Sequence, residues 1–355
     1  MISTGRITLP PAGLAIKATL TLVLFILLIE LFSTSHPITS RVLPPSKTGP
    51  NLIHHGNNRC LPRADETLTT LALQFRESCA EYSPHEPSQG RIGVVTAQFG
   101  NPEAHYSKAL QTHHLHSMIH STELHVMCEQ MIDDLWNKPA FLLALLLDEM
   151  LKPAHQRLEW IFWVDRDTVI LDQCRPISSF FPPPPKDPKA EIKTHMVATK
   201  DWNGLNNGIF AMRVSHWSIN LLMDILAFRD YRPDVQLTFT EQSAMELVLQ
   251  MPKFAPHVQY VPHEWFNAYP HGEATEYETA ESNDGWERYH ARRGDFLVHF
   301  AGRGDRSREM NEWIRVARKM GNIWAGNGTR VQRNVTPDVQ KFWAKLEEDR
   351  RRISD

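Results

Sequence analysis

The chain has 355 residues, with 38 Lys and Arg against 41 Asp and Glu, which gives a net charge of −3 at pH 7. The one cluster of basic residues, Arg350-Arg351-Arg352, is short and follows acidic residues. A near-neutral chain without a basic tract is not typical of a nucleic-acid-binding protein, and we expect no nucleic-acid partner.

The N-terminal region has the composition of a membrane segment. Residues 12–32 are nearly all apolar, and about 20 such residues cross a bilayer if Lys17 extends to the interface. Arg6 and Lys17 precede the apolar run and favour a cytosolic N-terminus. We therefore predict a cytosolic tail over 1–11 and a signal-anchor transmembrane helix over 12–32. A cleaved signal peptide is the alternative, and both interpretations place the rest of the chain in the secretory lumen.

The next segment, residues 33–88, is rich in Pro, Ser, His and Asn and is predicted to be a stem, with one helix from Glu66 to Ser78. From Ile92 onward, apolar strand patterns alternate with helical ones. This order predicts an α/β fold with a largely parallel sheet, in one catalytic domain over 89–355.

Four cysteines permit two disulfides in an oxidising lumen, with three connectivities: Cys60, Cys79, Cys128 and Cys174. Cys60 with Cys79 is the natural local pair, and Cys128 is alternatively a buried thiol. Two Asn-x-Thr triplets predict N-glycosylation at Asn327 and Asn334.

The stretch from Glu159 to Asp172 has the most informative pattern of the chain. An aromatic and β-branched run, typical of a buried strand, ends in Asp165-Arg166-Asp167. Two carboxylates at the end of such a strand reach one cation where a parallel sheet opens its ligand crevice. Mg²⁺ and Mn²⁺ prefer oxygen ligands and often share them with substrate phosphates. Taken alone, the pattern is explained equally well by a strand followed by a solvated turn.

Two later segments carry polar groups suited to a sugar. The segment Trp202–Gly208 holds Asn203, Gly204, Asn206 and Asn207 beside a Trp, as in sites that set a ring against a sugar face and amides on its hydroxyls. A hairpin with positive φ accounts for the same composition.

Glu241 and Gln242 precede an apolar helix. Either they face the crevice, where a carboxylate would stabilise charge on a reacting sugar, or this segment is an N-cap.

A late strand pattern ends in His299 and is followed by Arg303 and Arg306. The imidazole suits Mn²⁺ and would complete the site that the two aspartates begin, whereas a core histidine is the commoner alternative. The two arginines are candidates for pairing with diphosphate oxygens.

This ordered set of segments resembles the fungal galactosyl/mannosyltransferase family, glycosyltransferase family 34, which includes plant xyloglucan xylosyltransferases. The resemblance extends from Arg91 to Trp313. It includes Trp163–Thr168, Trp202–Phe210, Glu241–Ala244 and Gly294–Gly302. Plant members carry an acidic residue where this chain has Thr240 and a Lys where it has Gly304.

The resemblance implies a GT-A fold, a single Rossmann-like domain that binds a nucleotide-sugar. It implies a retaining hexosyltransferase in which Mn²⁺, with Mg²⁺ as an alternative, is held by Asp165, Asp167 and His299. The Trp202–Gly208 segment would line the sugar and acceptor region, and Glu241 and Gln242 would lie near the anomeric carbon.

The leading hypothesis is therefore a single-pass type II Golgi membrane enzyme with a lumenal catalytic domain. Its donor would be UDP-galactose or GDP-mannose, its acceptor a glycoprotein or cell-wall glycan, and its product an α-linkage. The alternative is a non-catalytic subunit of a Golgi glycosyltransferase complex. A metal-dependent phosphohydrolase would need further carboxylates, which no spacing in the sequence indicates.

Overall fold

The computed structural model describes residues 45–49, 51–62, 66–185, 191–326, 328 and 331–354. These residues belong to one compact unit, Val42–Asp355. The predicted tail (1–11), the predicted signal-anchor (12–32) and the predicted glycosylation site Asn327 lie outside the described residues. Within the described ranges, no helix combines the length and apolar character that a membrane span requires.

The described part of the chain contains ten strands and eight α-helices. The strands are β1 (Pro45–Gly49), β2 (Leu52–His55), β3 (Ile92–Ala97), β4 (Glu123–Met127), β5 (Trp160–Val164), β6 (Thr168–Ile170), β7 (Met196–Asp201), β8 (Gly204–Arg213), β9 (Val258–Tyr260) and β10 (Leu297–His299). The helices are α1 (Glu66–Tyr82), α2 (Ala104–His120), α3 (Asn137–Leu151), α4 (His216–Tyr231), α5 (Glu241–Leu249), α6 (Ala274–Thr279), α7 (Arg306–Met320) and α8 (Thr336–Ser354).

The central sheet has the strand order β1-β2-β4-β3-β5-β8-β7-β9. Its middle, β2-β4-β3-β5, is parallel, whereas β8 is antiparallel to both β5 and β7. Strands β6 and β10 form a separate antiparallel pair. The predicted α/β class with a mostly parallel central sheet is thus confirmed.

Strand β5 shows why the aromatic run before the aspartates has no polar face. Every one of its residues is buried. Ile161 and Trp163 pack with apolar side chains of α3, α4 and α5. Phe162 and Val164, on the opposite face, pack with a second cluster that includes Phe296. A strand that is covered on both faces has a continuously apolar sequence, as expected for the centre of an α/β sheet.

The folded unit begins within the segment that the sequence predicts to be a stem. Strand β2 pairs with β4 at one side of the sheet. Helix α1, which extends four residues beyond the predicted Ser78, packs near α2 through Ala72 and Leu115. Parts of the predicted stem, β1, β2 and α1, therefore belong to the sheet and to the helices that cover it.

The expected local disulfide between Cys60 and Cys79 is wrong. The structure pairs Cys60 with Cys128 and Cys79 with Cys174. Cys60 follows β2 and Cys128 follows β4. Because these two strands are parallel neighbours, their following residues meet at one edge, and the parallel pairing rather than the sequence separation selects the partners. Cys128 is accordingly not a free thiol.

Candidate functional site at the carboxyl edge of the sheet

The site lies where the order of strands changes direction. The parallel strands β3, β4 and β5 end at one edge, and the antiparallel strand β8 begins there. The pairing of Val164 with Ile209 sets Asp165 opposite Gly208, whose carbonyl accepts a hydrogen bond from the Asp165 N–H at 2.8 Å. Open α/β sheets bind ligands at such a switch point.

Pairing of β6 with β10 brings the distant histidine to this edge. His299 is opposite Thr168 in the register, and the Phe300 N–H donates to the Asp167 carbonyl at 2.9 Å. As a result, one ligand atom from each of Asp165, Asp167 and His299 lies within 4.8 Å of the others. The three residues predicted as metal ligands are therefore brought together, and within the described ranges they form the single group of this composition.

The imidazole of His299 is oriented so that Nε2 is available to a cation. Asn267 Nδ2 donates to Thr199 Oγ1 at 2.7 Å and to Asn206 Oδ1 at 3.0 Å, which fixes Asn267 Oδ1 as an acceptor. His299 Nδ1 contacts that oxygen at 2.9 Å and therefore carries the proton. The remaining nitrogen, Nε2, is 3.4 Å from Asp167 Oδ1. A buried imidazole tautomer fixed in this way is the usual arrangement of a metal-binding histidine.

Gly208 is the residue that allows β8 to pass beside this ring. A Cβ at that position would overlap with His299 Cε1. Gly208 therefore allows the backbone of β8 to pass close to His299. It does not form a turn with positive φ.

Asp167 is ionised in this setting. Burial raises the pKa of its carboxyl group, but the neighbouring His299 and the charge of Arg306 lower that pKa more, to about 2. The Arg306 Nε lies 3.1 Å from Asp167 Oδ2. A buried carboxylate that stays charged near neutral pH is a suitable ligand for a hard divalent cation.

Lys138, at the start of α3, is a site residue that the sequence analysis missed. Its buried ammonium is 3.2 Å from Asp165 Oδ1 and 3.3 Å from Glu241 Oε1. It also donates to the carbonyl and to Oδ1 of Asn207, at 3.1 and 3.0 Å. Burial lowers the pKa of Lys138, but the two carboxylates raise it more, so that the net pKa is above its usual value. One signal existed: Lys138 lies three residues before Phe141 and four before Leu142, so helical spacing puts it on the apolar face of α3.

The catalytic candidates Glu241 and Gln242 begin α5 and face the site. Glu241 is 2 % exposed, and its Oε1 contacts Lys138 and Asn207 Nδ2. Its Oε2 has no hydrogen-bond partner among the described residues. Gln242 Oε1 accepts from the Asn207 N–H at 3.1 Å. The preceding Thr240 has φ 48° and makes no side-chain cap, whereas Ser243 Oγ accepts from the Phe239 N–H at 2.9 Å, so the N-cap alternative is observed in part, beside the contacts of Glu241 and Gln242.

The asparagines predicted to contact a sugar are engaged within the protein. Asn206 Nδ2 donates to Asp201 Oδ2 and to the Tyr269 hydroxyl, and its Oδ1 accepts from the Gly208 N–H and from Asn267 Nδ2. Asn207 is bonded to Lys138, Glu241 and Gln242, as described above. Their side chains hold the β7–β8 hairpin and the Glu241 carboxylate in place. Asn203 and Gly204, by contrast, lie in the hairpin turn, where Gly204 has φ 98°.

Trp202 in the same turn is 70 % exposed. Its ring centroid is 5.4 Å from that of Tyr269 and 5.6 Å from that of Tyr289. Trp202 is therefore exposed beside two tilted tyrosine rings, of which Tyr269 is buried.

Helix α2 supports the aspartate turn through histidine. The Thr168 hydroxyl donates to the Asp165 carbonyl at 2.8 Å, so that His113 Nε2, 2.8 Å from the same hydroxyl oxygen, must donate to it. Farther along α2, His116 Nε2 is 2.9 Å from the Arg175 carbonyl. The His113-His114-Leu115-His116 run is thus buried in α2 and supports the aspartate turn from behind.

Two cavities meet at the metal-ligand cluster. The first, of about 700 Å³, follows the strand ends and is lined by Ala97, Met127 and Lys138 among others. The second, of about 730 Å³, is lined by Trp202, Tyr269 and His299 among others. Both cavities are lined by Asp165, Asp167, Phe239, Gln242 and Arg306. The cluster therefore separates two chambers, each large enough for a substrate.

The two predicted arginines have different positions. Arg306 lines both cavities and contacts Asp167. Arg303 lines the second cavity, and its Nε donates to Glu309 Oε2 at 2.7 Å. Asn334, a predicted glycosylation site, lies away from both cavities, and its Oδ1 accepts from Arg175 and from the Thr336 N–H.

Residues 186–308 match the model of the galactosyl transferase GMA12/MNN10 family. The predicted resemblance is thus confirmed over these residues. This region contains Trp202–Gly208, Glu241, Gln242 and His299, but it begins after Asp165 and Asp167. The aspartates are therefore joined to the family's segments by the sheet geometry, which is an independent observation.

Among curated proteins, the chain is similar to "Glycosyltransferase 6" of Arabidopsis thaliana, with 27% identity over 114 residues. That match covers 31% of this chain, and it spans only 23% of the length of the Arabidopsis protein.

Two solved structures are similar at low identity. One is a glycosyltransferase involved in the glycosylation of the major capsid of PBCV-1, with 13% identity, a TM-score of 0.45, and coverage of 63% of this chain and 98% of that chain. The other is the glycosyltransferase GlyE in Streptococcus pneumoniae TIGR4, with 8% identity, a TM-score of 0.39, and coverage of 69% and 66%.

Proposed function

We propose that the protein is a metal-dependent, retaining glycosyltransferase of the GT-A type, which transfers a hexose from a nucleotide-sugar and forms an α-linkage. The observation that carries this proposal is the Asp165, Asp167 and His299 cluster, whose ligand atoms lie within 4.8 Å of one another between two cavities. The family match over the segments that supply His299 and Glu241 supports glycosyl transfer.

The donor set fits Mn²⁺, with Mg²⁺ as an alternative. Two carboxylates and one imidazole suit Mn²⁺, whereas Mg²⁺ prefers oxygen alone. Such an ion, when bound, would offset the negative charge that develops on a departing nucleoside diphosphate.

The chain's own residues account for the rest of the chemistry. Arg306, at the boundary of the two cavities, is placed to pair with a diphosphate oxygen as well as with Asp167. Glu241 presents a buried carboxylate oxygen without a partner in the described chain, and Lys138 holds its other oxygen. Glu241 would stabilise positive charge at the anomeric carbon, or attack it as a nucleophile. Gln242 lines both cavities and would orient the sugar between them.

The proposed donors are UDP-galactose and GDP-mannose, and the proposed acceptor is a glycoprotein or cell-wall glycan. The description of the matched family as a galactosyl transferase family supports the hexose. The nucleotide is proposed to bind in the first of the two cavities, which follows the strand ends. Ligands of open α/β sheets lie outside the carboxyl ends of the strands.

The proposed location is the Golgi membrane, with a single-pass type II topology, the signal-anchor at residues 12–32 and a lumenal catalytic domain. The two disulfides support an oxidising compartment. The apolar composition of residues 12–32 supports the anchor.

A non-catalytic subunit of a Golgi glycosyltransferase complex is the alternative function. It would need neither a buried carboxylate oxygen without a partner nor three assembled metal ligands. The unpaired Glu241 oxygen and the three assembled residues lie in the same site, and this favours the enzyme.

The decisive experiment is a donor-hydrolysis screen of the purified full-length protein against UDP- and GDP-sugars, with and without Mn²⁺. We expect hydrolysis of one hexose donor that depends on Mn²⁺. The Asp167→Asn variant should lose at least about 100-fold of that activity and should bind Mn²⁺ more weakly, as measured by electron paramagnetic resonance of the free ion. Asp148→Asn, an exposed position on α3, is the matched control. Folded wild-type protein without turnover of any donor would support the subunit alternative.

A further inference from the structure

A cavity of about 510 Å³ lies between helices α2 and α7 and has a positively charged wall. It is lined by Lys108 of α2 and by Asn311, Glu312, Ile314, Arg315 and Arg318 of α7. The three cations, Lys108, Arg315 and Arg318, are exposed. None of the lining residues lines either of the two cavities at the metal-ligand cluster, so this α2–α7 cavity is a separate feature of the molecule.

Amide oxygens orient two of these cations without neutralising them. Lys108 Nζ donates to Asn311 Oδ1 at 2.7 Å. Arg318 Nη2 donates to Gln111 Oε1 at 2.9 Å. Both hydrogen bonds join one helix to the other. A neutral amide fixes the position of a cation but leaves its charge available to an anion.

The acidic residue of the α2–α7 cavity is engaged by a different arginine. Arg308 Nη1 lies 3.3 Å from Glu312 Oε1. In the described part of the chain, the three cations of the cavity form no ion pair with a carboxylate. The neighbouring Lys319, by contrast, lies 2.5 Å from Glu278 Oε1. The whole chain has a net charge of −3, so this local positive charge does not follow from a generally basic protein.

The arrangement of these cations is unfavourable for helix α7 itself. Arg315 is three residues before Arg318 and four before Lys319, so that like charges are neighbours on one side of the helix. Like charges at these spacings destabilise a helix. Residues that act against the stability of their own element are expected at functional sites, where a ligand supplies the opposite charge.

We infer that the α2–α7 cavity binds a phosphate group, either free or as the headgroup of a phospholipid. Guanidinium donors match the geometry of phosphate oxygens, and lysine binds the same oxygens as a point charge. Three cations around one concave site suit a compact anion, whereas nucleic acid requires an extended basic surface. The inference does not rest on the proposed glycosyl transfer, because no lining residue belongs to the metal-ligand cluster or its two cavities.

Titration calorimetry of the full-length protein with inorganic phosphate, at low salt and with EDTA, tests the site. We expect a Kd of about 1 mM for the wild type. The double variant Arg315→Gln, Arg318→Gln should bind at least about tenfold more weakly, because two charge-assisted contacts are lost. Arg59→Gln, which changes an exposed arginine outside both helices, is the matched control and should bind as the wild type does.

Thermal unfolding gives a second readout that separates binding from folding. Without phosphate, the double variant should unfold about 1 °C above the wild type, because the repulsion on α7 is removed. Addition of about 10 mM phosphate should raise the Tm of the wild type by about 3 °C and that of the double variant by less than about 1 °C.

Dibutanoyl phosphatidic acid, a water-soluble phospholipid, distinguishes the two sources of the phosphate group. Binding at least about tenfold tighter than that of inorganic phosphate, and weakened in the double variant, would identify a lipid headgroup. Equal affinity would identify a free phosphate. Three results would overturn the inference: the wild type binds no phosphate, the double variant binds it as tightly as the wild type, or only Arg306→Gln weakens the binding. The last result would place the anion at the metal-ligand cluster.

Discussion

Lys138 shows how a single residue connects the metal ligands to the catalytic candidates. Its ammonium contacts Asp165, Glu241 and two oxygens of Asn207 while it is almost fully buried. A buried charge in a good geometry is balanced by its partners, but removal of one member leaves the others uncompensated. Glu241 would be the residue most affected, because it is 2 % exposed and its second oxygen has no partner in the described chain.

We therefore predict that Lys138→Met lowers the free energy of unfolding by about 3 kcal/mol at neutral pH, measured by urea denaturation. The double variant Lys138→Met, Glu241→Gln should recover part of this loss, because it leaves no unpaired carboxylate at position 241. Lys341→Met, at an exposed position on α8, should change stability by less than about 0.5 kcal/mol. Equal stability of the two single variants would show that the buried cluster does not contribute as described.

The sequence predicts the three candidate metal ligands and misses the residues that support them. Asp165, Asp167 and His299 carry a recognisable chemistry at the ends of strand patterns, so they can be proposed without coordinates. Lys138, Asn267 and His113 support them from other elements, and no local pattern connects a lysine before an apolar helix with a carboxylate far along the chain. The roles of Asn206 and Asn207 could not be predicted either, because an amide's partners depend on the register of β8 against β5.

At the scale of elements, the disulfides connect the N-terminal elements to the rest of the folded unit. Cys79, on α1, is joined to Cys174, which follows β6. Their separation is 95 residues, and that of Cys60 and Cys128 is 68. A crosslink that closes so long a loop reduces the conformational freedom of the unfolded chain considerably.

Replacement of Cys79 and Cys174 together by Ser should lower the unfolding free energy by about 4 kcal/mol, measured in urea without reductant. Peptide mapping of the wild type should recover Cys60 linked to Cys128 and Cys79 linked to Cys174. A peptide that links Cys60 to Cys79 would contradict the connectivity.

Local sequence patterns predict where the helices and strands lie better than they predict which elements pair with one another. The apolar pattern that begins at Ile92 forms β3, and Ser215, a residue type typical of helix N-caps, caps α4 by accepting from the Ser218 N–H. Periodicity and capping are local, so the sequence contains them. The contribution of β2 to the sheet was not predicted, because a four-residue strand in a polar, proline-rich segment is stabilised by its pairing with β4 rather than by its own composition.

At the scale of the whole molecule, buried histidines set how stability depends on pH. Burial lowers the pKa of His113, His195 and His263 to about 4 each. In the unfolded chain a histidine has a pKa of about 6.5. Between these two values the unfolded state binds more protons than the folded state, so unfolding becomes more favourable as pH falls from about 6.5 to about 4.

The change of the unfolding free energy with pH should be steep in this range. Each such histidine contributes at most about 1.4 kcal/mol of stability per pH unit, present in full above pH 6.5. Urea midpoints measured from pH 7.5 to pH 5 should therefore fall with acid, and His113→Gln should reduce the slope by up to that amount even if it lowers stability at every pH. Gln250→Ala, which changes an exposed side chain that does not titrate, should leave the slope as it is. If the slope for His113→Gln equals that of the wild type, acid destabilisation arises elsewhere, and the support that α2 gives to the Asp165 turn does not depend on a neutral imidazole.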